Sequence, residues 1–216
     1  MTEDGMLLVD KPAGITSFGV VARVRRKLTE QLGKRAKVGH TGTLDPFATG
    51  LMIIVTGKEC RNAGNYSKLD KEYEATIKLG YNSSTGDPEG ELTSISDTQP
   101  TKDAVEAALK QFKGEITQRP PMFSAIKING RRAYDLARKG EVVEMPERQV
   151  TIFSLELLDY TYPEIKIRVH VSSGTYIRTL AEDIGKVLGT GAYCSELRRT
   201  KVAQWSVADA TPISVN

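Results

Sequence analysis

A chain of 216 residues is one large domain or two small ones, and 39% hydrophobic with 26% charged residues suits a soluble globular protein with a real core. No apolar run approaches the roughly 18 residues of a membrane span, and the acidic start Met1-Thr2-Glu3-Asp4-Gly5 lacks a secretory signal pattern, so no membrane partner is expected. Cys60 and Cys194 lie far apart without metal-ligand spacing and read as reduced thiols of a cytoplasmic protein.

The net charge of +3 says less than its distribution. Arg23, Arg25, Arg26, Lys27, Lys34, Arg35 and Lys37 crowd one segment, with Glu30 the only acid among them. Lys127, Arg131, Arg132, Arg138 and Lys139 form a second cluster, and Lys186, Arg198, Arg199 and Lys201 a third. One such cluster is as readily a solvated helix face, but three together favour a polyanion, RNA or DNA.

In chain order, residues 6–10 read as a short buried strand. Ser17 can cap a helix with Val21, Val24, Leu28 and Leu32 on one face and Gly33 as its stop. Residues 51–56 are a β-branched apolar run, again a buried strand. Over residues 71–79 Tyr73, Ala75, Ile77 and Leu79 share one face of a strand, and Glu72, Glu74, Thr76 and Lys78 the other. Residues 82–90 are a turn-rich loop containing Thr85-Gly86-Asp87. Thr101 can cap a helix through Val105, Ala108, Leu109 and Phe112 that Gly114 closes. Beyond Arg119-Pro120-Pro121, residues 125–128 read as a strand, with Asn129-Gly130 as a tight turn. A short basic helix spans 133–139. Residues 150–160 and 165–171 are expected as antiparallel strands about the Tyr162-Pro163 turn, and 176–188 as a helix; strands within 196–207 are only weakly signalled. Strands interspersed with isolated helices, without regular βαβ alternation, predict an α+β fold on a mixed, mostly antiparallel sheet flanked by helices.

Gly39-His40-Thr41-Gly42-Thr43-Leu44-Asp45-Pro46, continuing Phe47-Ala48-Thr49-Gly50, gathers an acid, an imidazole, hydroxyls and three glycines beside a strand. Glycines allow tight backbone turns and close approach, and Pro46 biases Asp45 toward extended geometry. Asp45 reads as a turn initiator or as a catalytic carboxylate. Arg178 falls in the first turn of a helix, where a cation opposes the helix dipole by roughly 0.3–1 kcal/mol. Solvent exposure would make that harmless; a carboxylate partner would compensate it, and Asp45 is the attractive one. Such a pair would keep the acid ionised and aim it, giving a nucleophile that needs no partner base. Tyr73 is a packed core tyrosine or a platform for a flipped base, and Tyr176 is equally ambiguous. His40 has no metal partner, so it packs or stacks on nucleic acid. No phosphate-binding P-loop, dinucleotide fingerprint or serine elbow is present.

The glycine-rich loop resembles the active-site motif of the TruB-type tRNA pseudouridine synthases, whose Asp is catalytic. The resemblance runs collinearly through Leu8-Val9-Asp10-Lys11-Pro12-Ala13-Gly14-Ile15-Thr16-Ser17, Lys71-Glu72-Tyr73-Glu74-Ala75, Thr85-Gly86-Asp87, Gln118-Arg119-Pro120-Pro121-Met122-Phe123-Ser124-Ala125, Gly174-Thr175-Tyr176-Ile177-Arg178-Thr179-Leu180-Ala181 and Leu197-Arg198-Arg199-Thr200. It implies a single catalytic domain of pseudouridine synthase fold over 1–216, with a thumb-like RNA-clamping insertion at about 119–146. It implies Asp45 as nucleophile, Arg178 as its ion-pair partner and Tyr73 at the target base. Tyr176 would support the site, Leu197 pack on the uracil, His40 fill the space left by the flipped base, and Lys11 bind substrate. The expected reaction isomerises uridine to pseudouridine at position 55 in the T loop of tRNA, without metal or organic cofactor. Members usually carry a further C-terminal RNA-binding (PUA-like) domain. The sequence ends at Asn216, soon after Trp205-Ser206-Val207, so that domain is expected to be either naturally absent or cut away, and its lack weighs against a guide RNA; the chain is expected to act as a monomer. A non-catalytic RNA-binding or tRNA-folding module on the same scaffold is the competing expectation, and intact Asp45, Tyr73 and Arg178 speak against it.

Overall fold

The computed structural model describes residues 3–128, 130–141 and 143–213. In chain order the elements are β1 (Gly5–Lys11), α1 (Ser17–Leu32), β2 (Val38–His40), β3 (Thr49–Thr56), a 3-10 segment (Gly57–Asn62), α2 (Ala63–Ser67), β4 (Lys71–Leu79), β5 (Tyr81–Ser83) and β6 (Leu92–Ser94). They continue with α3 (Lys102–Lys110), β7 (Gly114–Gln118), β8 (Lys127–Ile128), β9 (Arg131–Arg132), α4 (Ala133–Ala137), β10 (Arg148–Thr161) and β11 (Glu164–Val171). The last are α5 (Ile177–Leu188), β12 (Ala192–Val202), β13 (Trp205–Ser206), a 3-10 turn (Val207–Asp209) and β14 (Thr211–Pro212). The fold is α+β with a mostly antiparallel sheet, as the pattern predicts.

Two compact units emerge, one of residues 1–73 with 197–216 and the other of residues 74–196. In the first the strand order is β14-β1-β3-β12, with β2 on β3 and β13 on β12. β1 and β3 are antiparallel from Gly5↔Thr56 to Lys11↔Gly50, whereas β12 meets β3 in parallel at Arg198↔Thr49 and Arg199↔Gly50. β3 is the core strand: Leu51, Ile53 and Val55 are buried with Val202 under Met6, Leu8, Tyr66 and Trp205. β1 is less buried than its sequence suggests, only Val9 and Lys11 being sealed. Gly50 is obligatory, since its φ is +109° and a Cβ there would lie 2.3 Å from the Arg199 carbonyl oxygen.

α1 ends at Gly33, in the left-handed conformation expected of a C-terminal glycine. Its N-cap is Thr16 and not Ser17: the Thr16 hydroxyl accepts from the Gly19 amide at 2.9 Å. Ser17 is buried and turned to another use, described below.

In the second unit β4, β11, β10 and β7 lie side by side, β10 pairing antiparallel with both β11 and β7. The alternation of β4 appears with one departure: Tyr73, Ala75, Ile77 and Leu79 are buried as expected, but Thr76 of the other face is buried too, its hydroxyl donating to Glu196 Oε2 at 3.0 Å. α3 is capped by the Thr101 hydroxyl but stops at Lys110; Gly114 instead opens β7, because residues 111–113 already leave the helix through short turns. The 125–128 strand shrinks to β8, paired with β9, and the basic helix to α4. Asn129 of the expected tight turn lies outside the described residues. α5 buries Ile177, Leu180, Ala181 and Ile184 and stops at left-handed Gly189. The weakly signalled strand region is the eleven-residue β12 followed by β13.

Candidate active site

Asp45 stands half-buried in the loop between β2 and β3, within the first unit. Its carbonyl accepts from the Ala48 amide at 3.2 Å, closing a tight turn over Pro46-Phe47. The backbone on both sides is tied down by three buried side chains. Upstream, the Arg199 guanidinium donates to the carbonyls of Gly42 (3.1 Å) and Thr43 (3.4 Å), and to Leu51 (2.7 Å) beyond the loop. Immediately before Asp45, Ser17 Oγ both donates to the Leu44 carbonyl and accepts from the Leu44 amide, each at 2.8 Å. Immediately after it, the Pro46 carbonyl accepts from Lys11 Nζ at 3.2 Å and from the Gly14 amide at 2.9 Å. Buried carbonyls require such partners, and charged donors make the stronger bonds. The acid therefore projects from a backbone whose neighbours are fixed.

Lys11 corrects the sequence-based expectation. Its side chain is 0% exposed, and Nζ also donates to the carbonyls of Pro12 and Ile15, both at 2.8 Å. A sealed ammonium spent on backbone carbonyls shapes the loop and does not meet substrate. Of the remaining candidates in this unit, His40 ends β2 half-buried, opposite Ile54 in the β2–β3 register. Tyr73 and Leu197 are each 8% exposed, on β4 and β12. Lys71, two residues before Tyr73 on the same face, donates to the carbonyls of Ser67 (2.7 Å) and Leu69. Burial, and secondly the Arg199 guanidinium, push its ammonium down to about 8 against an opposing pull from Asp70.

The second unit holds Arg178 and Tyr176. Arg178 is the second residue of α5, only 3% exposed, so solvent does not relieve its conflict with the helix dipole. A carboxylate does: Nη1 lies 3.2 Å from Asp87 Oδ2. Nη1 also donates to the Thr85 carbonyl (2.7 Å), and Nη2 to the Phe123 carbonyl (2.8 Å). Asp87 is itself well satisfied, its Oδ1 accepting from Thr85 Oγ1 (2.6 Å) and from the Glu89 amide (3.0 Å). Gly86 takes φ +73° and passes so close to α5 that a Cβ would sit 2.5 Å from Glu182 Oε1 and 3.3 Å from Arg178 Cβ. Burial pushes the Glu182 carboxyl above its ordinary range, one helical turn from Arg178. Tyr176 is the N-cap of α5. Its amide donates to Gln118 Oε1 (3.0 Å), Gln118 Nε2 donates back to its carbonyl (3.2 Å), and the Arg148 guanidinium lies 5.4 Å from its ring centroid.

Sequence reasoning singled out Asp45 and Arg178 but not the groups that the structure places around them. Asp87 was in view only as part of Thr85-Gly86-Asp87, and Arg199 only as one charge of a basic cluster and as part of Leu197-Arg198-Arg199-Thr200. Gln118 gave no signal of its own. Among the described residues no cluster of His, Cys, Asp or Glu is arranged to hold a metal ion, and no helix is long and apolar enough to cross a membrane.

Residues 25–177 match the family model of the TruB family pseudouridylate synthase N-terminal domain, and residues 178–214 that of the tRNA pseudouridylate synthase B C-terminal domain. The chain is 47% identical to tRNA pseudouridine synthase B of Phocaeicola vulgatus over 213 residues, covering 98% of this chain and 91% of that protein. It is equally identical to the Aquifex aeolicus enzyme of the same name over 212 residues, 97% of this chain and 72% of the other. Among solved structures, a Cbf5-Nop10-Gar1 complex superposes with TM-score 0.74 at 31% identity, covering 99% of this chain and 53% of the matched one. An H/ACA RNP bound to a substrate RNA containing 2′-deoxyuridine gives TM-score 0.71 at 28% identity, covering 97% and 51%. This chain thus spans about half the length of those solved chains. Fold and sequence together define an isomerase of the pseudouridine synthase class. The chain belongs to the TruB family.

Proposed function

We propose that this protein converts uridine to pseudouridine in tRNA, at position 55 of the T loop, with Asp45 as the nucleophile. The observation that carries the assignment of the acid is the set of buried ties from Lys11, Ser17 and Arg199 to the backbone around it. A loop fixed by three buried polar side chains exceeds what a mere connection needs, and preorganisation of a reacting group is worth large rate factors.

The reaction breaks the N1–C1′ bond, turns the uracil within the site and forms the C5–C1′ bond. The C5 proton leaves and N1 gains one, so nothing is oxidised or reduced. One ionised carboxylate suffices, with Arg178 as its counter-charge; Asp87 holds that guanidinium in place. Tyr73 contacts the turned base and assists removal of the C5 proton, Leu197 packs on the uracil, Tyr176 supports the site, and His40 fills the space the base vacates. Extruding the nucleotide costs a few kcal/mol, which aromatic contacts of about 1–3 kcal/mol per base offset. Exposed Lys127, Arg131, Arg132, Arg138 and Lys139 line one depression in the thumb-like segment at about 119–146, chemistry suited to clamping the RNA backbone. No guide RNA or cofactor is needed; a single copy acts, in the cytoplasm.

The test is tritium release from an unmodified tRNA transcript labelled at C5 of uridine. Release is expected from wild type, and none from Asp45→Asn, with RNA affinity kept within a few-fold. A transcript with cytidine at position 55 should release nothing. Turnover by Asp45→Asn would overturn the nucleophile assignment, and undiminished release from the cytidine transcript would overturn the position.

A further inference from the structure

Arg199 is among the largest fully buried side chains of the described residues, 2% exposed, yet among those residues it meets no carboxylate. Its guanidinium donates instead to backbone carbonyls: Nε to Leu51, Nη2 to Gly42 and Nη1 to Thr43. A buried guanidinium without a counter-ion is costly, and a hydrophobic side chain would fill the space more cheaply. Lys71 bears part of that cost, since the nearby guanidinium helps push its own ammonium down. The neighbourhood is shaped to admit the arrangement. Gly50, opposite Arg199 in the β3–β12 register, leaves no room for a Cβ against the Arg199 backbone. A Cβ on Gly42 would lie 3.4 Å from Nη1. Arg199 thus bridges the root of β3, at Leu51, and the far limb of the Asp45 loop, at Gly42 and Thr43.

We propose that Arg199 is a positioning residue for catalysis, a guanidinium bolt that sets the reach and angle of Asp45 through the loop backbone without touching the RNA. This rests on reading Asp45 as the nucleophile. Lysine cannot reproduce the bolt, because its single nitrogen cannot span three carbonyls in a planar fork. Methionine keeps the bulk and removes every donor.

The experiment compares wild type, Arg199→Lys, Arg199→Met and Asp45→Asn on the full chain. It measures single-turnover rate at saturating tRNA, tRNA Kd, the thermal midpoint, and amide exchange at Thr43 and Leu44. Displacement of a reacting group by about 1 Å costs on the order of 10²-fold in rate. That loss is expected for Arg199→Met, at a temperature where it is fully folded, with Kd unchanged and exchange faster at Thr43 and Leu44. Arg199→Lys should recover part of it, to on the order of 10-fold below wild type, by keeping a charged nitrogen that can reach one of the carbonyls. A wild-type rate in both variants overturns the proposal. So does a loss that appears only in Kd, or one that disappears when the rate is corrected for the folded fraction. If both variants fail to fold, Arg199 serves the fold alone and the proposal is likewise overturned. Turnover by Asp45→Asn would instead remove the nucleophile reading, whatever the Arg199 variants do.

Discussion

Arg178 and Asp87 form a buried ion pair, Nη1 to Oδ2 at 3.2 Å, with 3% and 5% of their side chains exposed. The pair resolves a local conflict: a cation in the first turn of α5 is tolerated because an acid from the Thr85-Gly86-Asp87 turn neutralises it. Removing one member of such a pair strands the other in low dielectric, at a cost of about 3–5 kcal/mol. Asp87→Ala should lower the stability of the second unit by that order, read from urea unfolding. It should also depress the pseudouridylation rate of the folded fraction, because Arg178 loses its anchor. A variant with wild-type stability and rate would show that the pair is dispensable.

Arg178→Lys is expected to be a poor replacement even though charge is kept. Arg178 donates in separate directions, to Asp87 and Thr85 through Nη1 and to Phe123 through Nη2. One ammonium cannot cover that spread. The catalytic rate should fall at least on the order of tenfold, with the thermal midpoint also lowered; a wild-type rate would dismiss the fork geometry as a requirement.

Thr16 and Ser17 are neighbours with separable roles. Thr16→Ala removes the N-cap of α1 and should cost about 1 kcal/mol of stability, leaving the rate of the folded enzyme intact. Ser17→Ala leaves the cap but cuts both ties to Leu44, so its rate should fall more than its stability. Equal rates in the two variants would refute the division.

Lys71 gives a pH signature. Its folded pKa, about 8, lies below the ordinary lysine value of 10.5. Between those values the unfolded chain binds more protons than the folded one, so stability rises with pH across that window. Below about 8 the charged amine opposes folding in full. Lys71→Met should flatten the rise between about 8 and 10.5, measured as the urea midpoint against pH. An unchanged slope would show that the buried amine keeps its ordinary affinity for protons.

The salt dependence of tRNA binding tests the basic surface. If exposed cations such as Arg26, Lys27, Arg132 and Arg138 neutralise phosphates, log Kd should climb linearly with log salt. Charge-removing substitutions in either cluster should reduce that slope. A flat response would exclude these surfaces from RNA contact.

Regular, one-faced elements were legible in the sequence. The alternation of β4, the apolar stripe of α5 and the Gly33 and Gly189 stops all follow from periodicity and backbone chemistry. The three-residue β2 and five-residue β7 were not, because too few positions exist to set a period. β12 was only half visible: Arg199 reads as surface charge, yet it lies inside, satisfied by carbonyls that have no signature in sequence. Lys11 is a related case: the resemblance implies a substrate ligand, and the structure spends its ammonium on the carbonyls of Pro12, Ile15 and Pro46. The same blindness hid Ser17, whose hydroxyl reads as a helix cap but meets a leucine 27 positions downstream. Glycine and aspartate spacing marked where the acid would be; what fixes it comes from polar side chains folded inward.

The bond from Arg199 to Thr43 joins residues 156 positions apart. At a synthesis rate of about 5–20 residues per second, the loop bearing the acid waits roughly 8–30 s for its last fastener. Until that residue has left the ribosome and β12 has paired with β3, the loop lacks this fastening, so its final geometry arrives late in translation.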